Sequence, residues 1–364
     1  MSNFLNILSE ETFADKMDTL NKLLAAIASN TGGLTIKSFA DLQQLTRLGL
    51  ASKVVSIGDQ VSCEKATSIT AAVSGTGVTA ATVDFETFRK ATKTTGGVYA
   101  FTYDGAWKLD GKAADIAAYG ITVTGAPANG DVVTVTEKTD TLVWDIIGID
   151  HDTPMNKNYK HSITLQLHGC LSNLFQFDAA EPTNPDTNRQ TSGSSNWGVS
   201  GIRQWLNASG DAGAWWQAQT EYDVQPIYAD TLPGFLKGLD DDFLAATDKV
   251  SKITANSSAD GGGSYSTTER FFLLSKTEVN GGTTGTTSEG SAYPFYSDNS
   301  DLVTPGVGTD TNRIKYKDGA PQKYLTRSSV FTNSYTVYTV METGIISGSW
   351  ASVSRGISPA CCIV

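Results

Sequence analysis

The chain closes on Tyr324-Leu-Thr-Arg-Ser-Ser-Val-Phe-Thr-Asn-Ser-Tyr-Thr-Val-Tyr-Thr-Val-Met-Glu-Thr-Gly344 followed by Ile345-Ile-Ser-Gly-Ser-Trp-Ala-Ser-Val-Ser-Arg-Gly-Ile-Ser-Pro-Ala-Cys-Cys-Ile-Val364. Val337 and Val340, with small residues around Gly344, Gly348 and Gly356, predict short strands joined by tight turns. Between them stand Tyr335, Tyr338, Trp350 and Arg355, mixed with Ser and Thr. An aromatic ring gives a large contact area at low entropy cost, and a hydroxyl bonds in many geometries. These residue types therefore build adaptable binding surfaces. The stretch reads as a binding face and not as a reaction centre.

The rest of the composition agrees with a β-rich protein. Only 18% of the 364 residues are charged, while Gly, Ser and Thr are frequent, which favours strands and turns over long solvated helices. The length allows two or three domains with their own cores. A net charge of −11 argues against a broad nucleic-acid footprint and against anionic membrane surfaces. The four cysteines, Cys63, Cys170, Cys361 and Cys362, have no metal-ligand spacing and read as free, packed thiols. The Met1 to Glu10 stretch lacks a basic region and a long apolar run. The expectation is synthesis in the cytoplasm with no membrane insertion.

Near the start, Phe13, Met17, Leu20, Leu24 and Ile27 repeat at steps of 4, 3, 4 and 3. That is a heptad seam, capped by Ser9 and ended by Gly32-Gly33. Two heptads do not stand alone, so the seam predicts self-association. A second helix is expected over 38–48, with Phe39, Leu42, Leu45 and Leu48 on one face. Residues 66–138 then change in character, becoming rich in Thr, Val, Ala and Gly. Val98 to Tyr103 alternates, Asp104-Gly105 turns, and Trp107 to Leu109 returns, which is a hairpin signal. Further strands around Ile121 and Val132 complete a small β domain whose aromatics Tyr99, Phe101, Tyr103 and Trp107 are core. Beyond it, Leu142 to Ile147, Ser162 to Leu167 and Arg270 to Ser275 read as strands. Helices are expected around Ile202, Trp205 and Leu206, and across Phe235, Leu236, Leu239, Phe243 and Leu244. Turn-rich segments cover 181–195, 257–268, 280–290 and 304–319.

The run Asn196-Trp197 through Arg203-Gln-Trp-Leu-Asn207 resembles the signature of a phage and prophage domain family with a C-type-lectin-like fold, close to the formylglycine-generating-enzyme type. Matches follow in order at Pro233-Gly-Phe-Leu236, Arg270-Phe-Phe-Leu-Leu-Ser275, Ser288-Glu-Gly-Ser-Ala-Tyr-Pro-Phe-Tyr296, Arg313-Ile-Lys-Tyr316, Tyr324-Leu-Thr-Arg-Ser328 and Gly356-Ile-Ser-Pro-Ala360. Flanks at Ser38 to Asp41, Val55 to Asp59 and Leu142 to Pro154 look like the same group. The resemblance makes Cys63-Glu64 and Leu142-Val-Trp144 two halves of one element, with the β block inserted between them. It implies an α+β fold. Residues 1–50 would be a helical assembly segment, 66–138 an inserted all-β domain, and 51–65 with 139–364 the C-type-lectin-like domain.

Members of this group are similar to variable proteins diversified by retroelements, in which a fixed scaffold displays changing side chains. Carried onto this sequence, the scaffold includes Leu325, Arg327, Ser328, Val337, Val340, Gly344 and Gly356. The displayed, ligand-binding positions are Phe331, Thr332, Ser334, Tyr335, Thr336, Tyr338, Thr339, Ser347, Ser349, Trp350, Ser352 and Ser354, with Arg355 at the edge. The implied protein is a virion structural or receptor-binding protein, assembled as a trimer. Its partners would be other virion proteins and a host cell-surface protein or glycan, with no cofactor. A head-decoration or baseplate protein is the alternative.

Enzyme readings are weak. His151, His161 and His168 form no nucleophile–base constellation, and no counterpart of the enzyme's copper-binding cysteine pair is evident. Glu181-Pro-Thr-Asn184 resembles a calcium-lectin motif but has one residue too many, and Asp240-Asp241-Asp242 suits a helix start.

Overall fold

The computed structural model describes residues 38–92, 96–297 and 311–364, and the heptad seam of Phe13, Met17, Leu20, Leu24 and Ile27 lies outside them. The protein is mostly β, with a few short helices. Helix α1 (Phe39–Arg47) starts where Ser38 Oγ accepts the Asp41 N–H at 3.1 Å. That satisfies one of the donors a helix start leaves orphaned. Leu42 and Leu45 are buried, and Phe39 packs edge-on against Phe243 at 4.8 Å. Leu48, expected on the same face, is the C-cap and is 52% exposed.

Two long strands carry the architecture. Strand β1 (Gln60–Ser74) leads into a small β unit: β2 (Val78–Val83), helix α2 (Phe85–Thr92), β3 (Gly97–Tyr103), β4 (Trp107–Leu109), β5 (Lys112–Ala113) and β6 (Ile121–Gly125). Strand β7 (Val132–Ile149) then runs back antiparallel to β1 from Ser74↔Val132 to Gln60↔Asp145. One half of β7 pairs with β3 and the other with β8 (Ile163–Leu167). The same two strands therefore serve two separate cores. Phe88, Phe101, Ile116, Ile121, Val133 and Val135 fill the small one. Trp144, Trp197, Trp205, Phe235, Phe243, Phe271 and their neighbours fill the large one.

The β1–β7 register shifts between Ala66 and Ser68, where the sequence placed the start of the inserted block. Cys63 faces Leu142 across this ladder, and the Trp144 Nε1–H reaches Cys63 Sγ at 3.2 Å. The expected hairpin is present, with Tyr103 opposite Trp107. The block is not all-β, because α2 lies within it. The capping geometry explains that helix: Asp84 Oδ1 accepts the Thr87 N–H at 2.9 Å.

In the larger unit, helix α3 (Gly201–Leu206) is capped by Ser200 and α4 (Asp241–Ala246) by Asp240. The acidic triplet is thus a cap with two first-turn carboxylates, which favours the helix dipole. The helix expected across Phe235 to Leu244 forms only in this last part. Gly238 holds φ +81° with its backbone against that of Ala66, where a Cβ would meet the Ala66 carbonyl oxygen at 2.2 Å. A continuing helix is excluded there.

Strands β9 (Thr247–Asp248), β10 (Val250–Ala255), β11 (Ser264–Glu269) and β12 (Phe271–Phe272) follow, then β13 (Lys315–Lys317) and β14 (Ala320–Gln322). Strands β15 (Tyr324–Ser329), β16 (Thr336–Val340) and β17 (Ile346–Trp350) form a separate three-stranded sheet. The last strand, β18 (Ala360–Ile363), returns to the main sheet between β8 and β12. All four cysteines are free, and three of them are buried.

The two cores make a specific expectation. Phe101→Ala empties the centre of the small core and should cost about 3–5 kcal/mol in urea denaturation. Limited proteolysis should then cut within residues 74–132 first, while the near-ultraviolet dichroism of the large core is retained. Simultaneous loss of both signals would show that the cores unfold as one.

Candidate functional site

The C-terminal sheet stands on buried charges. Arg327, at the centre of β15, is fully buried. Its guanidinium grips both carboxylate oxygens of Glu278, with the Nη2–Oε1 contact at 3.0 Å. The remaining donors reach the carbonyls of Leu273 at 2.9 Å, Ile253 at 3.1 Å and Glu289 at 3.3 Å, and the Thr254 hydroxyl at 3.3 Å. Lys252 extends the chain of charges, contacting Glu278 at 3.2 Å, the Tyr293 hydroxyl at 2.7 Å and the Asp152 carboxylate. Asp152 also accepts from Thr164 at 2.6 Å and from Tyr293 at 2.7 Å. Glu289 accepts the Ala255 N–H at 3.0 Å, the Thr284 hydroxyl at 2.9 Å and the Ser328 hydroxyl. Arginine suits the central place because its planar fork supplies five fixed donors and keeps its charge.

The partners set the ionisation of these groups. Burial would push the Glu278 carboxyl up, but Arg327 and Lys252 more than offset this and hold it below the usual range. Asp152 behaves in the same way beside Lys252. Glu289 is raised, because its burial outweighs the help of Arg327 and Ser328. The network joins Asp152, β8, β10, the 273–278 segment, residues 284–293 and β15, so six parts of the chain are fixed to one another.

The Trp197–Asn207 motif is a second clamp. The Trp197 Nε1–H and Arg203 Nε–H both donate to Glu269 Oε1, at 2.8 and 2.7 Å. Asn207 Oδ1 accepts the N–H groups of Arg270 and Phe271, both at 3.1 Å, and its Nδ2 donates to Phe271 O at 2.8 Å. The motif's polar residues therefore tie α3 to β12.

On this base the β16–β17 hairpin presents its outer side. Register sets Thr336 opposite Trp350, and Tyr338 opposite Gly348. Trp350 is 56% exposed, while Thr336 and Tyr338 are half-buried. Lys276 sits over the Tyr338 ring at 4.4 Å and donates to Thr283 O at 2.8 Å, which fixes the tyrosine. At Gly348 an added Cβ would meet Thr336 Cγ2 at 3.0 Å, so the glycine leaves room for the Thr336 methyl on this side.

The thirteen sequence-predicted positions divide. Thr332 and Trp350 are exposed. Phe331, Tyr335, Thr336, Tyr338, Ser347, Ser352, Ser354 and Arg355 are half-buried. Ser334, Thr339 and Ser349 are buried, against the expectation that they are displayed. Ser334 donates to the Asp186 carboxylate, and Thr339 to Ser347 O at 3.3 Å. Ser349 lies opposite Val337 on the inner side of the hairpin. Strand alternation accounts for Thr339 and Ser349, which fall on the side that Val337 directs into the core.

Ser352 is tied by its hydroxyl to Thr191 O at 3.1 Å, outside the β16–β17 hairpin. Lys276 and Lys323 were missed by sequence reasoning, since both lie outside the aromatic-rich stretch. The scaffold residues Leu325, Arg327, Ser328, Val337, Val340, Gly344 and Gly356 are all buried.

The calcium-like run is also accounted for: the Asn184 Nδ2–H donates to Glu181, and burial raises the Glu181 pKa. No group of His, Cys, Asp and Glu able to hold a metal occurs among the described residues.

Residues 171–364, more than half of the chain, match the family described as Domain of unknown function (DUF6273), and the chain belongs to that family. No curated protein and no solved structure matches it. The matched region holds the C-terminal sheet, the motif clamp and all of the charge network except Asp152, which follows β7, and Thr164 on β8.

Breaking the network from one side should be costly. Arg327→Met leaves Glu278 buried without its main partner and should destabilise by about 3–5 kcal/mol in urea denaturation. Adding Glu278→Gln should recover part of that loss, whereas additive losses would mean that the two act independently.

The pH dependence follows from the same groups. The depressed Asp152 and Glu278 carboxyls contribute stability that is present above the ordinary carboxylate range and lost as pH falls through their folded values. Raised Glu289 has the opposite sign. The melting temperature should therefore fall below about pH 4, less steeply in Asp152→Asn. Equal slopes in the two proteins would contradict this.

Proposed function

We propose that this is a phage or prophage virion protein that displays a ligand-binding surface on a C-type-lectin-like scaffold. The observation that carries the reading is the outer side of the β16–β17 hairpin. There Trp350, Thr336 and Tyr338 lie together, over a sheet anchored by buried Arg327 and not by the displayed side chains. Aromatic anchors of this kind dominate interface energies, and an anchored base keeps their positions when their identities change. The ordered motif matches across the C-terminal half support the family likeness. The ligand is a host cell-surface component. Other virion proteins are its second partners, and the heptad seam of Phe13, Met17, Leu20, Leu24 and Ile27 in the sequence makes it a trimer.

Two measurements test this. Light scattering should give a trimer for the intact chain and a smaller species for a chain starting near Leu34. A micromolar monomer for the intact chain would rule the trimer out. Replacing Tyr335, Tyr338 and Trp350 together by Ala should shift the melting temperature by only a few degrees. It should also reduce attachment of the labelled protein to host cells at least tenfold, since each anchor is worth roughly 2 kcal/mol. Full attachment by the triple variant would move the ligand surface elsewhere on the molecule.

A further inference from the structure

At one edge of the hairpin two cations stand side by side. Tyr324 and Gly356 form a parallel bridge, with Gly356 N–H to Lys323 O at 3.0 Å and Leu325 N–H to Gly356 O at 2.9 Å. Lys323 and Arg355 each precede a member of that bridge, so register makes them neighbours. Burial, and then the charge of Arg355, hold Lys323 below the ordinary lysine range.

Among the described residues neither side chain forms an ion pair with a carboxylate. The charge of Glu342 on the hairpin turn opposes that of Arg355 at Lys323, but more weakly. Lys323 Nζ donates to Gly348 O at 3.3 Å and Arg355 Nη1 to Ser354 O at 3.3 Å, both neutral acceptors. Arg355 Nε is buried and has no hydrogen-bond partner among the described residues. In a chain of net charge −11, two adjacent cations served only by carbonyls are an exception that a bound anion would resolve.

We propose that Lys323 and Arg355 form a carboxylate subsite for an acidic sugar of a cell-surface polysaccharide; the proposal rests on the reading of the C-terminal sheet as a ligand-binding face. The guanidinium offers paired donors that fit a carboxylate, and the ammonium adds a point charge. The Lys323 contact to Gly348 brings the pair to the strand that carries exposed Trp350, two residues further on. A uronate ring supplies both needs in one unit: a C–H face for the indole and a carboxylate for the cations. An Asp or Glu side chain of a protein partner supplies the carboxylate alone. That difference favours the glycan.

Biolayer interferometry of the intact protein tests the assignment. The immobilised probes are polygalacturonate, alginate, hyaluronate, neutral dextran and polyglutamate. At least one polyuronate should be bound, with dextran and polyglutamate at least tenfold weaker, and binding should fall steeply with added salt. The double variant Lys323→Gln/Arg355→Gln should lose this binding at least tenfold at an unchanged melting temperature. The charge-keeping variant Lys323→Arg/Arg355→Lys should retain most of it.

Equal binding of polyglutamate would assign the subsite to a peptide carboxylate and overturn the glycan. Absence of binding to every polyuronate, or a Gln variant that binds as well as the natural protein, would overturn the subsite. Host-cell attachment measured in parallel separates the two failures. Attachment that persists without polyuronate binding leaves the binding face standing, and loss of both removes the face as well.

Discussion

The structure depends on one buried contact, the paired hydrogen bonds between Arg327 and Glu278. Two opposite charges removed from water are favourable only if the remaining donors and acceptors are filled. Here the carbonyls of Leu273, Ile253 and Glu289 and the Thr254 hydroxyl take the other guanidinium donors, and Lys252 shares the carboxylate and passes the charge on to Asp152. The bonds come from several parts of the chain far apart in sequence. The network therefore fixes the path of β15 more sharply than hydrophobic burial, which has no direction, could do alone.

That anchoring separates two tasks within one short stretch. On β15 every residue is buried, and the strand is held from below by charge and from the side by the Arg327 N–H to Leu274 O bond at 3.0 Å. On β16 and β17 alternate residues are freed. Val337, Thr339 and Ser349 belong to the interior, while Thr336, Tyr338 and Trp350 belong to the surface. The cost of holding the sheet in place falls on buried residues, so the outer residues are spared a structural role. Lys276 is the exception, since it steadies Tyr338 from outside the sheet.

Much of this was legible in the sequence, and the limits have physical causes. Asp104-Gly105 marked its hairpin, the apolar spacing over 38–48 marked a helix, Asp240-Asp241-Asp242 marked a helix start, and the change of composition near residue 66 marked the second core, because these signals are local. The helix across Phe235 to Leu244 was misread because its apolar spacing suited a helix while Gly238 was recruited to touch Ala66, a partner far away in sequence. Ser334 is buried through a hydrogen bond to Asp186 that spans 148 positions, which no local pattern reveals. The charge network was invisible for the same reason. Arg327, Glu278, Lys252 and Asp152 are ordinary surface residue types, and only tertiary structure buries them together. The thirteen displayed positions came from the family resemblance, carried over along the sequence without the register that tells the two sides of a strand apart.

The central claim is that the network, and not the face, determines the fold. A library randomised together at Phe331, Thr332, Tyr335, Thr336, Tyr338, Ser347, Trp350 and Ser352, with Arg327 and its partners untouched, tests it most directly. The measurement is the melting temperature of several dozen purified members. The account expects most to fold cooperatively within a few degrees of the natural protein. A library in which most members fail to fold would show that the face is part of the core and would contradict the account.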